Sequence, residues 1–275
     1  MSGKKHQQKK RWLLLPLLVL ILISLDMRFA VRTYTVDLPR MEGSIRLALI
    51  ADLHSCRYGK DQKNLLNALD AQKPDAVLLC GDFFDDRLPL ENARLTLESI
   101  AGKYPCYYVT GNHEYWADAQ KFLQMMDLLN TYGVENISGR TLPLTLNGCT
   151  VNLCGADDPD NPWNRSLSAQ LPALKNAADP ALDTLLVSHR PEAFDAYCAQ
   201  GFDLVLSGHA HGGQWRIPGL LNGLLAPDQG FIPKYAGGLY HKDNTTMIVS
   251  RGLARESTLI PRIFNRPELV IVHLQ

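Results

Sequence analysis

The sequence has no excess of charge of either sign, because 28 Lys and Arg residues balance 28 Asp and Glu residues. Domains that bind nucleic acids normally carry a clear basic excess, so we expect no nucleic-acid partner. Internal repeats and low-complexity stretches are also absent. With 275 residues and 46% hydrophobic content, the chain is long enough for one sizeable core or at most two small domains.

The cysteines include no CxxC pair, which argues against a zinc knuckle. Two of them, Cys80 and Cys106, lie in apolar, strand-like runs, where cysteine usually behaves as a small buried hydrophobe. We therefore interpret the cysteines as free thiols, although their even number also permits disulfides in a domain outside the cell. The six positions are Cys56, Cys80, Cys106, Cys149, Cys154 and Cys198.

No apolar run reaches the roughly 20 residues that a membrane-spanning helix normally needs. The longest, WLLLPLLVLILISL, covers residues 12–25 and follows a basic cluster within residues 4–11. It fits a secretory signal peptide, an uncleaved signal anchor extended through residue 31, or a buried core helix. We favour the anchor, because no small-x-small cleavage site follows and the adjacent cations argue against burial. The positive-inside rule then predicts a cell-membrane location with the remaining chain outside the cytoplasm.

Strand and helix patterns alternate after this segment, which predicts three regions. Residues 1–31 are the basic N-terminus and anchor, residues 32–44 a connector, and residues 45–275 one globular domain. Alternation predicts an α/β fold with a largely parallel sheet, and the later strands lack intervening helices, so a second, mixed sheet is expected. The predicted architecture is therefore a two-sheet αββα sandwich. Buried strands are expected at 45–52, 75–82, 105–112, 183–189 and 203–209, and helices at 60–72, 90–102 and 115–130.

Each of the five buried strands ends in polar residues of a similar kind. Ligands in open α/β sheets collect at the carboxyl ends of the strands, so the fold brings these side chains to one place. Five of the eight histidines belong to this set, although a single strand-end histidine is more often structural. The strand-end sequences are Asp52-Leu53-His54, Gly81-Asp82 with Asp85, Gly111-Asn112-His113-Glu114, Ser188-His189 and Gly208-His209-Ala210-His211.

The spacing and chemistry of these residues predict metal binding. In extended backbone, residues two apart point to the same side, so Asp52 and His54 can reach one ion. His209 and His211 likewise share a face. Imidazole, carboxylate and amide oxygen suit manganese, iron or zinc, and the absence of thiolates argues against a structural zinc site. Seven candidate ligands exceed one tetrahedral site and suit two divalent ions.

The motifs D-x-H, GD-x-x-D, GNHE, a strand-ending histidine and GHAHGGQ occur in this order over residues 45–275. This pattern resembles the calcineurin-like metallophosphoesterase family, and most closely its bacterial membrane-anchored YkuE/YaeI-like branch. The stretch IPKYAGGLY and the ending SRGLARE…PRIFNRPELVIVHL support that branch. The resemblance implies a metal-dependent phosphoric ester hydrolase.

The resemblance also implies roles for single residues. Three residues hold one metal, three hold the other, and one carboxylate bridges the two. His113 protonates the leaving oxygen or steadies the phosphate, and Asp85 pairs with it, although the adjacent Asp86 is an alternative partner. The metal ligands are Asp52, His54 and His211 for one ion, Asn112, His189 and His209 for the other, and Asp82 as the bridge.

The implied reaction is hydrolysis of a phosphodiester, phosphomonoester or pyrophosphate bond by attack of a metal-bridging hydroxide. The anchor favours substrates at the membrane, and a UDP-2,3-diacylglucosamine-type glycolipid is one candidate. That UDP-linked substrate is cytoplasmic, which conflicts with the predicted topology. The alternatives are a non-enzymatic metal-binding membrane sensor or scaffold and a binuclear amide hydrolase. No protein partner is implied, and specificity is expected in loops 156–166 and 217–243.

Overall fold

The computed structural model describes residues 15–16, 18–163, 166–256 and 260–275. Two six-stranded sheets pack face to face, and helices cover their outer faces. The predicted α/β two-sheet sandwich is therefore confirmed. Both sheets are mixed, because the first sheet contains one antiparallel pair of strands and the second contains two.

The first sheet has the order β1-β14-β2-β3-β4-β5. Strands β2 to β5 run parallel, whereas β14 is antiparallel to β2 and parallel to β1. Its strands are β1 (Ala30–Val36), β2 (Ile45–Ile50), β3 (Ala76–Cys80), β4 (Cys106–Val109), β5 (Glu135–Asn136) and β14 (Glu268–Leu274).

The second sheet has the order β12-β13-β9-β8-β7-β6. Strands β13, β9, β8 and β7 are parallel, and antiparallel hairpins form both edges. A separate two-stranded ribbon joins β10 (Leu225–Ala226) to β11 (Gly230–Phe231). The strands of the second sheet are β6 (Arg140–Leu146), β7 (Cys149–Gly155), β8 (Thr184–Val187), β9 (Leu204–Ser207), β12 (Gly238–Lys242) and β13 (Thr245–Val249).

The α-helices lie in the connections between strands. The predicted helix over residues 115–130 is instead two helices, because Ala117 is extended and the Asp118 carboxylate caps the second by accepting from Lys121 N–H at 2.9 Å. The helices after the N-terminal region are α1 (Lys63–Gln72), α2 (Glu91–Ile100), α3 (Asn112–Trp116), α4 (Ala119–Thr131), α5 (Leu167–Asn176) and α6 (Phe194–Gln200).

Three apolar clusters hold the layers together. The central cluster lies between the sheets and includes Leu49, Leu78, Leu206 and Val270. The other two clusters lie between each sheet and its own helices. Continuous apolar runs therefore form these strands because both of their faces are buried. All six cysteines lie in the described part of the chain, and none is joined to another by a disulfide.

The segment expected to be a connector, residues 32–44, contains most of strand β1. This strand pairs in parallel with β14, with Ala30 opposite Glu268 and Val36 opposite Leu274. Its short run of β-branched and aromatic residues favours a strand, and the free edge of β14 provides the backbone partners. The globular fold consequently begins before residue 45.

The predicted anchor and basic N-terminus cover residues 1–31, of which residues 1–14 and 17 lie outside the described part of the chain. Residues 18–24 are helical and expose most of their apolar side chains. Over the described residues, no helix combines the length and the apolar character that crossing a bilayer requires.

Candidate metal centre

The seven predicted ligands follow five neighbouring strand ends and meet at one edge of the two sheets. Parallel strands point their carboxyl ends to the same edge, which explains this convergence. In the first sheet, β2 leads to Asp52 and His54, β3 to Asp82, and β4 to Asn112. In the second sheet, β8 leads to His189, and β9 leads to His209 and His211.

One group of side chains comprises Asp52, His54, Asp82 and His211, whose potential ligand atoms all lie within 4.8 Å of one another. The Nε2 atom of His54 is 3.5 Å from Oδ2 of Asp82. The Nε2 atom of His211 is 3.8 Å from Oδ1 of Asp52. These are the four residues expected around the first metal.

A second group comprises Asp82, His189 and His209, again within 4.8 Å of one another. Oδ2 of Asp82 is 3.0 Å from Nε2 of His189, which is 3.2 Å from Nδ1 of His209. Asn112 lines the same cavity as Asp82 and His209. Asp82 thus belongs to both groups, as a bridging ligand must.

The residues present fit divalent ions. Asp52 Oδ2, His54 Nε2, Asn112 Oδ1 and His211 Nδ1 are buried and have no hydrogen-bond partner in the described part of the protein. Leaving so many buried polar atoms unpaired is costly, and a bound cation satisfies such carboxylate, amide and imidazole groups. Burial, followed by the charges of His54 and Arg262, lowers the pKa of His211. The neutral imidazole is the form that binds metals.

The backbone at the ligands differs from the extended geometry that the spacing suggested. Asp52, His54, Asp82, His209 and His211 all have positive φ, between 47° and 67°. This left-handed region is uncommon for residues with a side chain, and such conformations cluster at functional sites. The paired ligands therefore converge through tight turns that leave the strands, and not by alternation along a strand.

Glycines allow the ligand loops to approach each other. A Cβ atom on Gly81 would lie 2.4 Å from Nδ1 of His189, and one on Gly252 would lie 2.4 Å from Oδ2 of Asp52. Both glycines also have positive φ. Glycine at these two positions is therefore required for the sheets to bring their ligands together.

The predicted partner of His113 is corrected by the structure. Nδ1 of His113 is 2.6 Å from Oδ1 of Asp86 but 3.8 Å from Oδ2 of Asp85. Asp85 instead lies 3.1 Å from Nδ1 of His54 and accepts backbone N–H groups of Arg87 and Leu88. Its carboxylate orients a predicted metal ligand, whereas Asp86 orients the predicted catalytic histidine.

Glu114 has a larger role than the helix cap that its position indicated. Its carboxylate accepts the backbone N–H of Gly111, as a cap would, and also those of Asp82 and Phe84. Burial and then the charge of Asp82 raise the pKa of Glu114 to about 7. This side chain ties the loop after β3 to the loop after β4 and so fixes the distance between two predicted ligands.

A buried ionic network lies beside the second group. The guanidinium of Arg190, with 5% of its side chain exposed, donates to Asp158 at 2.6 and 2.7 Å. Asp228 accepts from Nε2 of His209 at 2.8 Å and also contacts Arg190. This contact leaves Nδ1 of His209 directed at His189. Sequence reasoning missed Asp158 and Asp228, which lie in the two predicted specificity loops without a motif around them.

The ligands open into a cavity of about 320 Å³. Its rim includes Trp116, whose ring centroid lies 4.7 Å from that of His113. Trp215 lines a neighbouring apolar pocket, and Tyr115 donates its hydroxyl to Asp157 at 2.6 Å. Of the three aromatic residues that flank the motifs, Trp116 alone is thus among the residues lining this cavity.

Two sheets that present a shared carboxylate and clustered imidazoles at one edge define a metal-dependent hydrolase domain of the αββα class. A model of the calcineurin-like phosphoesterase family matches residues 45–213, which is more than half of the chain. The chain belongs to this calcineurin-like phosphoesterase family.

Relatives agree with this assignment, and a solved structure shares the fold. An uncharacterized metallophosphoesterase of Campylobacter jejuni is 28% identical over 253 residues, covering 89% of this chain and 63% of that protein. Phosphodiesterase YaeI of Escherichia coli is 26% identical over 235 residues, covering 83% and 82%. The Haemophilus influenzae NAD nucleotidase has the same fold, with a TM-score of 0.53, 18% identity and coverage of 77% and 46%. The chain spans 63% of the Campylobacter relative and 56% of a Helicobacter pylori relative.

Proposed function

We propose that this protein is a binuclear-metal phosphoesterase. The observation that carries the proposal is the position of Asp82, whose carboxylate belongs to both ligand groups. Two ions that share a carboxylate typically lie about 3.5–4 Å apart and act together on a phosphate group. Manganese, iron or zinc suit the donor set of imidazole, carboxylate and amide. The family assignment supports the same reaction class.

The bound ions would supply positive charge for the phosphate oxygens and acidify the water that attacks phosphorus. The ligand loops fix the positions of the candidate ligands, because Glu114 hydrogen-bonds with Asp82 and Asp85 hydrogen-bonds with His54. A preorganised arrangement of this kind lowers the barrier, since little reorganisation is needed when charge develops.

His113 is our candidate for the proton donor to the leaving oxygen. Its ring lines the cavity and lies 4.4 Å, centroid to centroid, from the ring of His54. The contact between Nδ1 and Asp86 orients the ring and leaves Nε2 for the substrate. Proton donation matters most for poor leaving groups, such as the alkoxide of a lipid or sugar alcohol.

We further propose that the substrate is an amphiphilic phosphate ester at a cell membrane. An apolar pocket of about 310 Å³ shares Gln214 with the metal cavity and is lined by Trp215, Leu224, Leu225, Phe231 and Ile260. Three of the lining residues are exposed to solvent, Phe231 by 77%, Trp215 by 42% and Ile260 by 41%. Exposed apolar surface around a pocket is typical of binding sites for membranes or apolar ligands.

The position of the apolar N-terminal segment supports the same proposal. The backbone N–H of Phe264 donates to the carbonyl of Ser24 at 2.7 Å. The neighbouring Pro261 carbonyl accepts from Nε1 of Trp215 at 3.0 Å. Residues 18–24, with their exposed apolar side chains, therefore lie near the apolar pocket. A lipid surface that received this helix would also contact the rim of the pocket.

Within this class, a UDP-2,3-diacylglucosamine-type glycolipid is one candidate substrate, since it joins acyl chains to a pyrophosphate. We also retain the topology in which the positive-inside rule places the catalytic domain outside the cytoplasm. A lipid-linked phosphodiester or phosphomonoester on the outer side of the membrane is amphiphilic and is also accessible in this topology.

The full chain in an uncharged detergent tests the reaction class. Chelation should abolish turnover of bis-p-nitrophenyl phosphate, and added manganese should restore it. His241→Ala is the matched control for loss of a histidine at the metal centre and should retain full turnover. His241 is exposed and hydrogen-bonds only with Thr246 among the described residues. A folded, metal-loaded protein without turnover of any phosphate ester would refute the proposal and favour a metal-binding sensor or scaffold.

The substrate class has a separate test. Glycerophosphodiesters with increasing acyl length should show a falling KM if the apolar pocket binds the chains. Phe231→Ser should remove that dependence, and Leu123→Ser is a matched control because Leu123 is exposed on the remote helix α4. A KM that ignores chain length would overturn the amphiphilic substrate while leaving the phosphoesterase proposal intact.

A further inference from the structure

A cleft of about 240 Å³ lies away from the metal centre, at the open edge between the two sheets. Strand β1 and the start of β14 form one wall. The other wall consists of Arg216, the start of β12 and Arg251, which follows β13. None of the residues that line this cleft lines the metal cavity. Neither the ligand set nor the apolar pocket therefore explains it.

The cleft concentrates positive charge. Arg32, Arg216 and Arg251 line it, together with the single carboxylate of Glu268. Glu268 is buried and accepts from Nε of Arg251 at 2.6 Å, so this pair neutralises itself. Over the described residues, neither Arg32 nor Arg216 has a carboxylate within 4 Å. Two arginines without a carboxylate partner among the described residues thus line one cavity.

Arg216 is the more constrained of the two. It is partly buried, and within the described part of the chain its guanidinium donates hydrogen bonds only to neutral acceptors, the carbonyl of Gly212 at 3.4 Å and the side chain of Asn222. Burial and then the charge of Arg251 lower the pKa of Arg216. A cation held in this way is stabilised when an anion joins it.

The shape of the cleft suits a tetrahedral oxyanion. A Cβ on Gly237 would lie 2.7 Å from Cγ of Arg251 and 3.3 Å from Nη1 of Arg216, so glycine keeps the opening clear. Tyr34 adds an aromatic wall with a hydroxyl group. The planar fork of arginine matches phosphate oxygens in pairs, so arginines that line one cleft are typical of phosphate recognition.

We propose that the cleft between Arg32, Arg216 and Arg251 is a second phosphate-binding site, separate from the metal centre. Arg32 lies on strand β1, which residues 25–29 connect to the apolar helical residues 18–24. Arg266 continues this connection by donating to the carbonyls of Arg28 and Phe29. The phosphate of a lipid headgroup or of a soluble ester has the required chemistry.

The test counts bound phosphate on the metal-loaded full chain in bilayer discs of phosphatidylcholine. Equilibrium dialysis with labelled inorganic phosphate should show one more bound phosphate on the wild type than on Arg32→Gln combined with Arg216→Gln. Each single substitution should weaken that binding about tenfold, as loss of one charge-assisted contact does. Arg140→Gln is the matched control, because Arg140 is exposed on the opposite edge strand β6.

A second arm distinguishes the sources of phosphate. Phosphatidylglycerol in the discs should displace the additional phosphate if the cleft takes a lipid headgroup, and should leave it bound if a soluble ester is the ligand. Arg32 is exposed, so its single variant should fold even where the Arg216 variant does not. The proposal would be overturned if wild type and Arg32→Gln bound the same number of phosphates per chain in discs with and without phosphatidylglycerol. In that case phosphatidylglycerol would also displace no phosphate from the wild type. Nitrophenyl ester turnover should be unchanged throughout, which separates this site from the metal centre.

Discussion

The two sheets contribute chemically different ligands to the metal centre. The first sheet supplies Asp52, His54, Asp82 and Asn112, and three of these four residues offer oxygen atoms. The second sheet supplies imidazoles alone, from His189, His209 and His211. Neither sheet therefore carries all seven candidate ligands, and the proposed metal centre lies where the sheets face each other.

Because the candidate ligands come from both sheets, we expect metal binding and the packing of the sheets to be thermodynamically linked. Across the interface, Oδ2 of Asp82 lies 3.0 Å from Nε2 of His189, and the backbone N–H of His209 donates to Oδ1 of Asp52 at 2.9 Å. A cation shared by both sheets would stabilise their packing, since binding that requires the folded arrangement adds to the free energy of unfolding. Substitutions on either side test this link.

The largest effect is expected for Asp82→Ala, which removes the carboxylate common to both ligand groups. Loss of an outer-shell partner already reduces metal affinity or activity by about 10–100-fold, so loss of the bridge should exceed that range. Turnover and metal content per chain measure the effect. His189→Ala should abolish binding of one ion and leave the other ion bound at reduced occupancy. Full metal content in Asp82→Ala would show that the sheets bind metal independently.

The next effect concerns His113, which the first sheet supplies without a counterpart in the second. His113→Asn should lower kcat by about 10²–10⁴-fold without changing the metal content. The loss should be greatest for esters with alkyl leaving groups and smallest for nitrophenyl esters, because the latter need little protonation. An equal loss for both kinds of leaving group would contradict the role of proton donor.

Asp85 and Asp86 are adjacent residues for which the structure predicts different defects. Asp85→Asn should weaken metal binding by about tenfold or more through His54, and excess manganese should restore its turnover. Asp86→Asn should lower kcat by about tenfold at unchanged metal content, through His113. Metal titrations of both variants decide between these outcomes. Rescue of Asp86→Asn by manganese would reverse the assignment.

The smallest effect tests how closely the sheets approach. Gly252 follows β13 of the second sheet and packs against Asp52 of the first. Gly252→Ala should lower the free energy of unfolding by about 1–3 kcal/mol through overpacking, measured by denaturant titration. Gly102→Ala is the control, because a Cβ there meets no atom within 4 Å. Equal stability of the two variants would mean that the interface has room to adjust.

Much of this arrangement is predictable from the sequence, because apolar runs fully buried in two sheets are followed at once by polar side chains. That pattern places the seven candidate ligands at strand ends, and the family resemblance distinguishes them from their polar neighbours. The partner of His113 does not, since Asp85 and Asp86 differ by one position and only the turn after β3 determines which carboxylate faces which ring.

Other features depend on tertiary contacts that no local pattern records. Glu114 satisfies a helix cap by sequence, yet its second function arises from the loop of Asp82, which is 32 residues away. Strand β1 forms because β14 provides a free edge, and β14 lies at the other end of the chain. The positive φ angles at Asp52 and Asp82 likewise come from turns whose geometry is set by packing.

The position of β14 between β1 and β2 also has a consequence for synthesis on the ribosome. Strand β2 emerges early, but its neighbour on that side consists of residues 268–274. At the usual rate of translation, this edge stays unpaired for on the order of ten seconds or more. The nascent chain therefore presents an apolar strand edge to chaperones or to other nascent chains until the last strand arrives.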